Sequence, residues 1–168
     1  MATSAQIPGK CTVKVDSGGG LTPLGVSRGG VRLTENVRTL DVSGDARGGD
    51  EGTPLDVQYL GRTITVSANL STWDAAEMAR LQNRIRSGVT SPGVISDSDY
   101  GRLMIGDGEA LRLVLVCDSD PDNFNRNFPV AIARFAIELN LGTRSAEAAV
   151  KFECHVDGDG VLWDTNVS

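Results

Sequence analysis

The sequence predicts a mainly β protein, a β-sandwich or barrel-forming sheet with one flanking α-helix and long assembly loops. Three observations point there. Apolar residues recur with a period of two through most of the patterned segments. Glycine numbers 20 while aromatics make up 5% of the chain, so the core must come from Val, Leu, Ile and Ala, with many turns between short segments. Only one stretch carries helical periodicity. With 168 residues, 40% of them hydrophobic, the chain suits a single domain over 1–168 that buries its core without metal or disulfide support.

The first strand is read from Cys11, Val13 and Val15 alternating with Thr12, Lys14 and Asp16, and Gly18-Gly19-Gly20 ends it. After a turn around Pro23, residues 26–40 read as one strand. Val31, Leu33 and Val37 lie on one face, Arg32, Thr34 and Asn36 on the other, and Gly29-Gly30 form a bulge or bend near the start. Residues 41–54, rich in Gly and acid, read as a long exposed loop. A strand resumes at Leu55, Val57 and Tyr59, turns or bulges at Gly61, and continues through Ile64, Val66, Ala68 and Leu70.

The one helix spans 73–86, within the segment 72–87. Ser71-Thr72 precede it, Asp74 is placed to close a capping box, and Gly88 stops it. Ala75, Met78, Leu81 and Ile85 fall on one stripe while Glu77, Arg80 and Arg84 lie elsewhere, so the helix should cover one face of a sheet. Residues 87–101 read as another loop, of a length commonly tied to function. Residues 102–105 and 110–117 form a hairpin around Gly106-Asp107-Gly108, and the second strand is apolar enough on both faces to be central. Residues 128–141, 148–156 and 161–163 supply further strands, about eight or nine in all.

Composition narrows the function. Met1-Ala2-Thr3-Ser4-Ala5-Gln6 lacks the basic and apolar regions of a secretory signal, and no apolar run approaches a membrane span, so the expectation is a protein made in a cytoplasm with no membrane partner. A net charge of −6 argues against general nucleic-acid binding, which needs a basic patch. Of 16 cationic residues 13 are Arg, the side chain better suited to interface ion pairs, although a GC-rich genome gives the same bias. Cys11, Cys117 and Cys154 are too few and too far apart for a secreted disulfide scaffold. Their odd number leaves at least one without an in-chain partner and available for an inter-subunit disulfide in oxidising surroundings.

Candidate chemistry is thin. Gly25-Val26-Ser27-Arg28-Gly29 matches the Gly-x-Ser-x-Gly elbow of serine hydrolases, but β-branched alternation follows it where a helix is needed, and the chain's single histidine, His155, sits in another strand. Asp118, Asp120 and Asp122 have the opening spacing of a calcium loop, yet Asn123 and Pro129 stand where Gly and Glu are required, so a polar turn is the better account. Asp157-Gly158-Asp159-Gly160 reads as a tight turn. Cys154 and His155 are adjacent on a strand and point to opposite faces, a poor metal pair. The expectation is no catalytic residue, no metal and no cofactor.

From Gly25-Val26-Ser27-Arg28-Gly29-Gly30-Val31-Arg32-Leu33, through Gly48-Gly49-Asp50-Glu51-Gly52-Thr53-Pro54 and Gln58-Tyr59-Leu60-Gly61, to Leu70-Ser71-Thr72-Trp73-Asp74, the chain resembles the first half of a bacteriophage tail tube protein. That fold is shared with contractile injection systems; the second half resembles it only in general β content. The resemblance implies a β-sandwich subunit with a flanking helix, six copies per ring, strands from all six closing an inner barrel, and rings stacked through the long loop. It implies a lumen that passes genomic DNA without specific binding, which an acidic subunit suits. It also implies partners among other tail proteins (sheath or terminator, tape measure, baseplate) and a place in the virion tail after assembly in the host cytoplasm. Related folds form terminators, neck rings and hub components; a capsid decoration or receptor-binding β-sandwich module is the alternative from another class. The long loop is expected to carry assembly contacts, with Asp41, Asp45, Arg47, Asp50 and Glu51 as charge partners.

Overall fold

The computed structural model describes residues 2–16, 19–42, 56–85, 110–133, 138–141 and 146–168. In chain order the elements are β1 (Ala2–Ile7), β2 (Cys11–Asp16), β3 (Leu21–Ser27), β4 (Val31–Val42), β5 (Asp56–Leu70), β6 (Thr72–Trp73), α1 (Ala75–Ile85), β7 (Leu111–Cys117), α2 (Pro121–Phe124), β8 (Arg126–Ala133), β9 (Glu138–Leu141) and β10 (Ala146–His155). All the described strands join one antiparallel sheet in the order β1-β4-β5-β10-β8-β7-β2-β3-β6, with β9 beside β10. The protein is mainly β, as its alternation and composition imply.

Alternation becomes burial. In β2, Cys11, Val13 and Val15 are buried while Thr12, Lys14 and Asp16 are half-buried; in β5, Ile64, Val66, Ala68 and Leu70 point inward. β7 buries Leu111, Leu113 and Leu115 on one face and Val114 on the other, which suits its place between β8 and β2. The inward residues of β2 and β5 and Leu111, Leu113 and Leu115 of β7, with Phe128, Phe152 and Leu162, belong to one contiguous core.

The sheet rolls up. The chain leaves β5 at Leu70 and reaches β3 almost at once, where β6 pairs Gly25 with Trp73 and Val26 with Thr72. Ser71 N–H donates to Val26 O at 2.8 Å and Asp74 N–H to Leu24 O at 2.8 Å. A Cβ on Gly25 would lie 2.4 Å from Thr72 O, so only glycine admits this crossing. Gly30 has φ +87° and a Cβ there would lie 2.2 Å from Ile7 O, which holds the β3–β4 connection against the end of β1.

Several expectations change. Residues 26–40 are two strands: β3 pairs with β2 and β6, β4 pairs with β1 and β5, and Gly29-Gly30 belong to the connection between them. β1, which shows no apolar alternation, pairs along β4 from Ile7↔Val31 to Ala2↔Asn36. The bulge at Gly61 is present: the β4–β5 register shifts there, with Arg38 opposite Gly61 and Thr39 opposite Tyr59. Asp41 and the backbone of Val42 continue β4, so the loop begins later than 41; residues 43–55 lie outside the described residues, as do 86–109 with the loop and first hairpin strand expected there. Residues 161–163 are no strand; Leu162 is buried and the segment is held by a bridge between Asp164 and Asn127.

In α1 the cap is Asp74 itself, whose Oδ1 accepts from Ala76 N–H at 2.8 Å and Glu77 N–H at 2.9 Å. Met78 and Leu81 enter the core, but Ala75 is exposed and Glu77 is mostly buried, paired with Arg80 at 2.7 Å. The buried stripe is therefore rotated by part of a turn from the one predicted. The side chains of Arg84 and Ile85 lie outside the described residues.

Candidate assembly surface

β10 accompanies β5 only from Ile64 to Leu70, and β1 accompanies β4 only from Val31 to Asn36. Beyond those rungs, among the described residues, β4 and β5 pair with each other alone, down to Val42↔Asp56. The result is a two-stranded arm of about six residues per strand, or about 20 Å. At its base Arg62 and Glu35 form an ion pair at 3.3 Å.

The arm carries large exposed apolar side chains: Leu40 (52% exposed), Val57, Tyr59 (57%) and Leu60. Opposed residues share a face, so Val57 lies beside exposed Asp41 and Tyr59 beside Thr39, while Leu40 shares the other face with Gln58. Leu60 is the extra residue of the bulge. The ribbon thus carries exposed apolar groups on both faces. Sequence reading placed Val57 and Tyr59 on a strand but missed their exposure; the available signal was the run Tyr59-Leu60, which breaks alternation beside a glycine-rich acidic segment.

A second surface is the backbone edge of β1, which ends the strand order and exposes Thr3, Ser4, Ala5 and Gln6. An edge of this kind is a template for pairing with another chain. Of the residues expected to carry assembly charge, Asp41 is exposed on the arm; Asp45, Arg47, Asp50 and Glu51 lie outside the described residues.

The residues weighed as chemical candidates make the following contacts. Ser27 is buried at the end of β3, its Oγ donates to Gly30 O at 2.7 Å, and β4 follows the turn. It lines an open cavity of about 250 Å³ with Gln6, Arg32, Ser67 and Asn69, and Arg32 Nε donates to Ser4 Oγ at 3.0 Å. His155 pairs with Glu153 at 3.3 Å. Asp120 caps α2, accepting from Asn123, and Asp118 pairs with Lys10 at 3.0 Å, so this acidic run is a polar turn. Asp157 Oδ1 accepts from the N–H groups of Asp159 and Val161, closing a tight turn. Cys11, Cys117 and Cys154 are all buried, and burial pushes the Cys154 thiol well above its ordinary value.

Near the C-terminal end of the described chain, Arg112 Nε donates to Asn127 Oδ1 at 2.7 Å and its Nη2 to the carbonyls of Asn166 and Ser168. Asn127 Nδ2 donates to both oxygens of Asp164, and Arg126 lies 4.2 Å from the centre of the Trp163 ring. This strap occupies the flank of β8 that β10 leaves open past the rung between His155 and Val130.

No protein-family model and no curated protein matches the sequence. Among solved structures, a chain in the tail of an empty GTA particle, obtained by helical refinement with C6 symmetry, is 16% identical over 87% of this chain and 91% of that chain, with a TM-score of 0.49. A chain in the virion of a native gene transfer agent (GTA) particle is 16% identical over 88% of this chain and 92% of that chain, with a TM-score of 0.48.

Proposed function

We propose that this chain is a non-enzymatic virion protein, a tail tube subunit whose copies form hexameric rings stacked around a DNA-conducting lumen. The observation that carries the reading is the β4–β5 arm. A lone two-stranded ribbon is marginal in water, and this one gathers Leu40, Val57, Tyr59 and Leu60, four of the exposed large hydrophobic residues among those described. Insertion between neighbouring subunits covers both of its faces, and joining edge strands around a ring removes the free edge of β1. The order of two paired strands flanking the 43–55 segment, then β6 and a capped helix, agrees with the resemblance in residues 25–74. The net charge of −6 keeps phosphate from adhering during transit. Sheath or terminator, tape measure and baseplate proteins are the partners this role requires.

Negative-stain images of purified protein test the reading: rings or tubes are expected. Replacing Leu40, Val57, Tyr59 and Leu60 with Ser should leave the circular dichroism spectrum intact and abolish polymers, as should replacing residues 44–52 with a short Gly-Ser turn. Tubes of normal length from both variants would refute the assembly role of the arm. Compact particles from the unaltered protein would instead favour a decoration or receptor-binding module.

A further inference from the structure

Cys11 opens β2 and Cys117 closes β7, and the two face each other on the terminal rung of the ladder that joins those strands. Their Sγ atoms stand 2.7 Å apart and both residues are fully buried. Directly opposed residues of an antiparallel pair have Cα atoms about 4.5–5.5 Å apart, within the range a disulfide spans. Joining them requires no rearrangement of the sheet. Cys154 does not compete: it lies opposite Ala131, which pairs with Leu111 at the other end of β7, about 20 Å along the strand from Cys117.

We propose that Cys11 and Cys117 are a modification site, oxidised by a small disulfide such as oxidised glutathione to an in-chain bond that ties β2 to β7 and leaves Cys154 a free thiol. The Cys11 thiolate, its proton passed to solvent, attacks the small disulfide and releases one half as a thiol. Cys117 then gives up its proton and displaces the second half. The protein loses two hydrogens and two electrons, and the reagent gains both. The shared hydrogen bond holds the Cys11 thiol below its ordinary value and the Cys117 thiol above it, and burial adds to the rise at Cys117.

Access comes from the rung's position at the end of the ladder. Lys10 and Asp118, which follow it outward, are about half exposed and joined by an ion pair at 3.0 Å. The ties around it are Asp118 N–H to Lys10 O, Ser119 Oγ–H to Pro8 O and Cys117 N–H to Asn125 Oδ1, and Cys11 is also paired with Ser27 of β3. Local opening of these contacts at the end of the ladder is what exposes the rung to the reagent. The cross-link joins residues 106 positions apart and so restricts the unfolded chain strongly.

The test is to incubate the full chain, folded, with oxidised glutathione, then unfold it in an alkylating reagent and map the peptides. The expected product has lost two hydrogens, carries the alkyl group on Cys154 alone, contains a peptide linked through Cys11 and Cys117, and melts about 10 °C higher until reduced. Cys154→Ala should give the same cross-link, and Cys117→Ser should show neither mass loss nor thermal shift. Three alkylated cysteines after prolonged exposure, a lasting glutathione adduct at Cys11 or Cys117, or dimers linked through Cys154 would each overturn the proposal.

Discussion

A methyl group at Gly25 would meet Thr72 O at 2.4 Å and Trp73 Cα at 3.1 Å, both backbone atoms of the crossing strand, whereas one at Gly29 would meet nothing within 4 Å. Two glycines of one five-residue motif thus differ completely in what they do. Gly25→Ala is expected to cost about 1–3 kcal/mol, because β6 must move off β3. Gly29→Ala should fall within about 0.5 kcal/mol of the parent. Urea unfolding midpoints of the two variants check both. The motif suggested an elbow for Ser27, but its spacing reflects where backbones cross, and only the long-range partner Thr72 reveals that. Asp74 is the complementary case: a carboxylate ahead of a helix was legible as part of a cap, while its role as the cap itself depends on where the helix starts. Asp74→Ala should cost about 1 kcal/mol, read from thermal unfolding.

Among elements, legibility followed one-sidedness. Cys11, Val13 and Val15 alternate cleanly because β2 has one face in the core, and Gly61 could be read as a bulge because it interrupts such a pattern. β1 escaped detection because an edge strand with Ile7 as its buried anchor leaves no apolar rhythm. Residues 26–40 read as continuous because both halves alternate; the division appears only in their different partners. The helix was legible in place, but Ala75 tolerates water as readily as burial and misdirected the stripe. Met78 and Leu81 carry its docking. Leu81→Ala should therefore cost about 2–5 kcal/mol and deplete soluble subunit, and an unchanged melting temperature would show that α1 contributes little to the core. The arm's apolar residues were legible as strand but not as surface, because exposure depends on which neighbours stop short.

At the scale of the whole molecule, β10 lies between β5 and β8, so the layers β1-β4-β5 and β8-β7-β2-β3 meet along it, yet it is the last strand in chain order. A growing polypeptide emerging from the ribosome therefore carries β5 and β8 without the strand that separates them in the finished sheet. Native pairing of β5 and β8 waits until β10 is made, and contacts of this range make closure slow. Nascent chains arrested before Ala146 should be cut readily by protease, and chains that include His155 and the strap through Asp164 should gain resistance in one step. A profile that rises gradually with length would show that the first strands close without β10. Until β10 is made, the facing edges of β5 and β8 stand open to strands of other chains, so a half-made subunit is at its most vulnerable to mispairing while neighbours on the same polysome are being made.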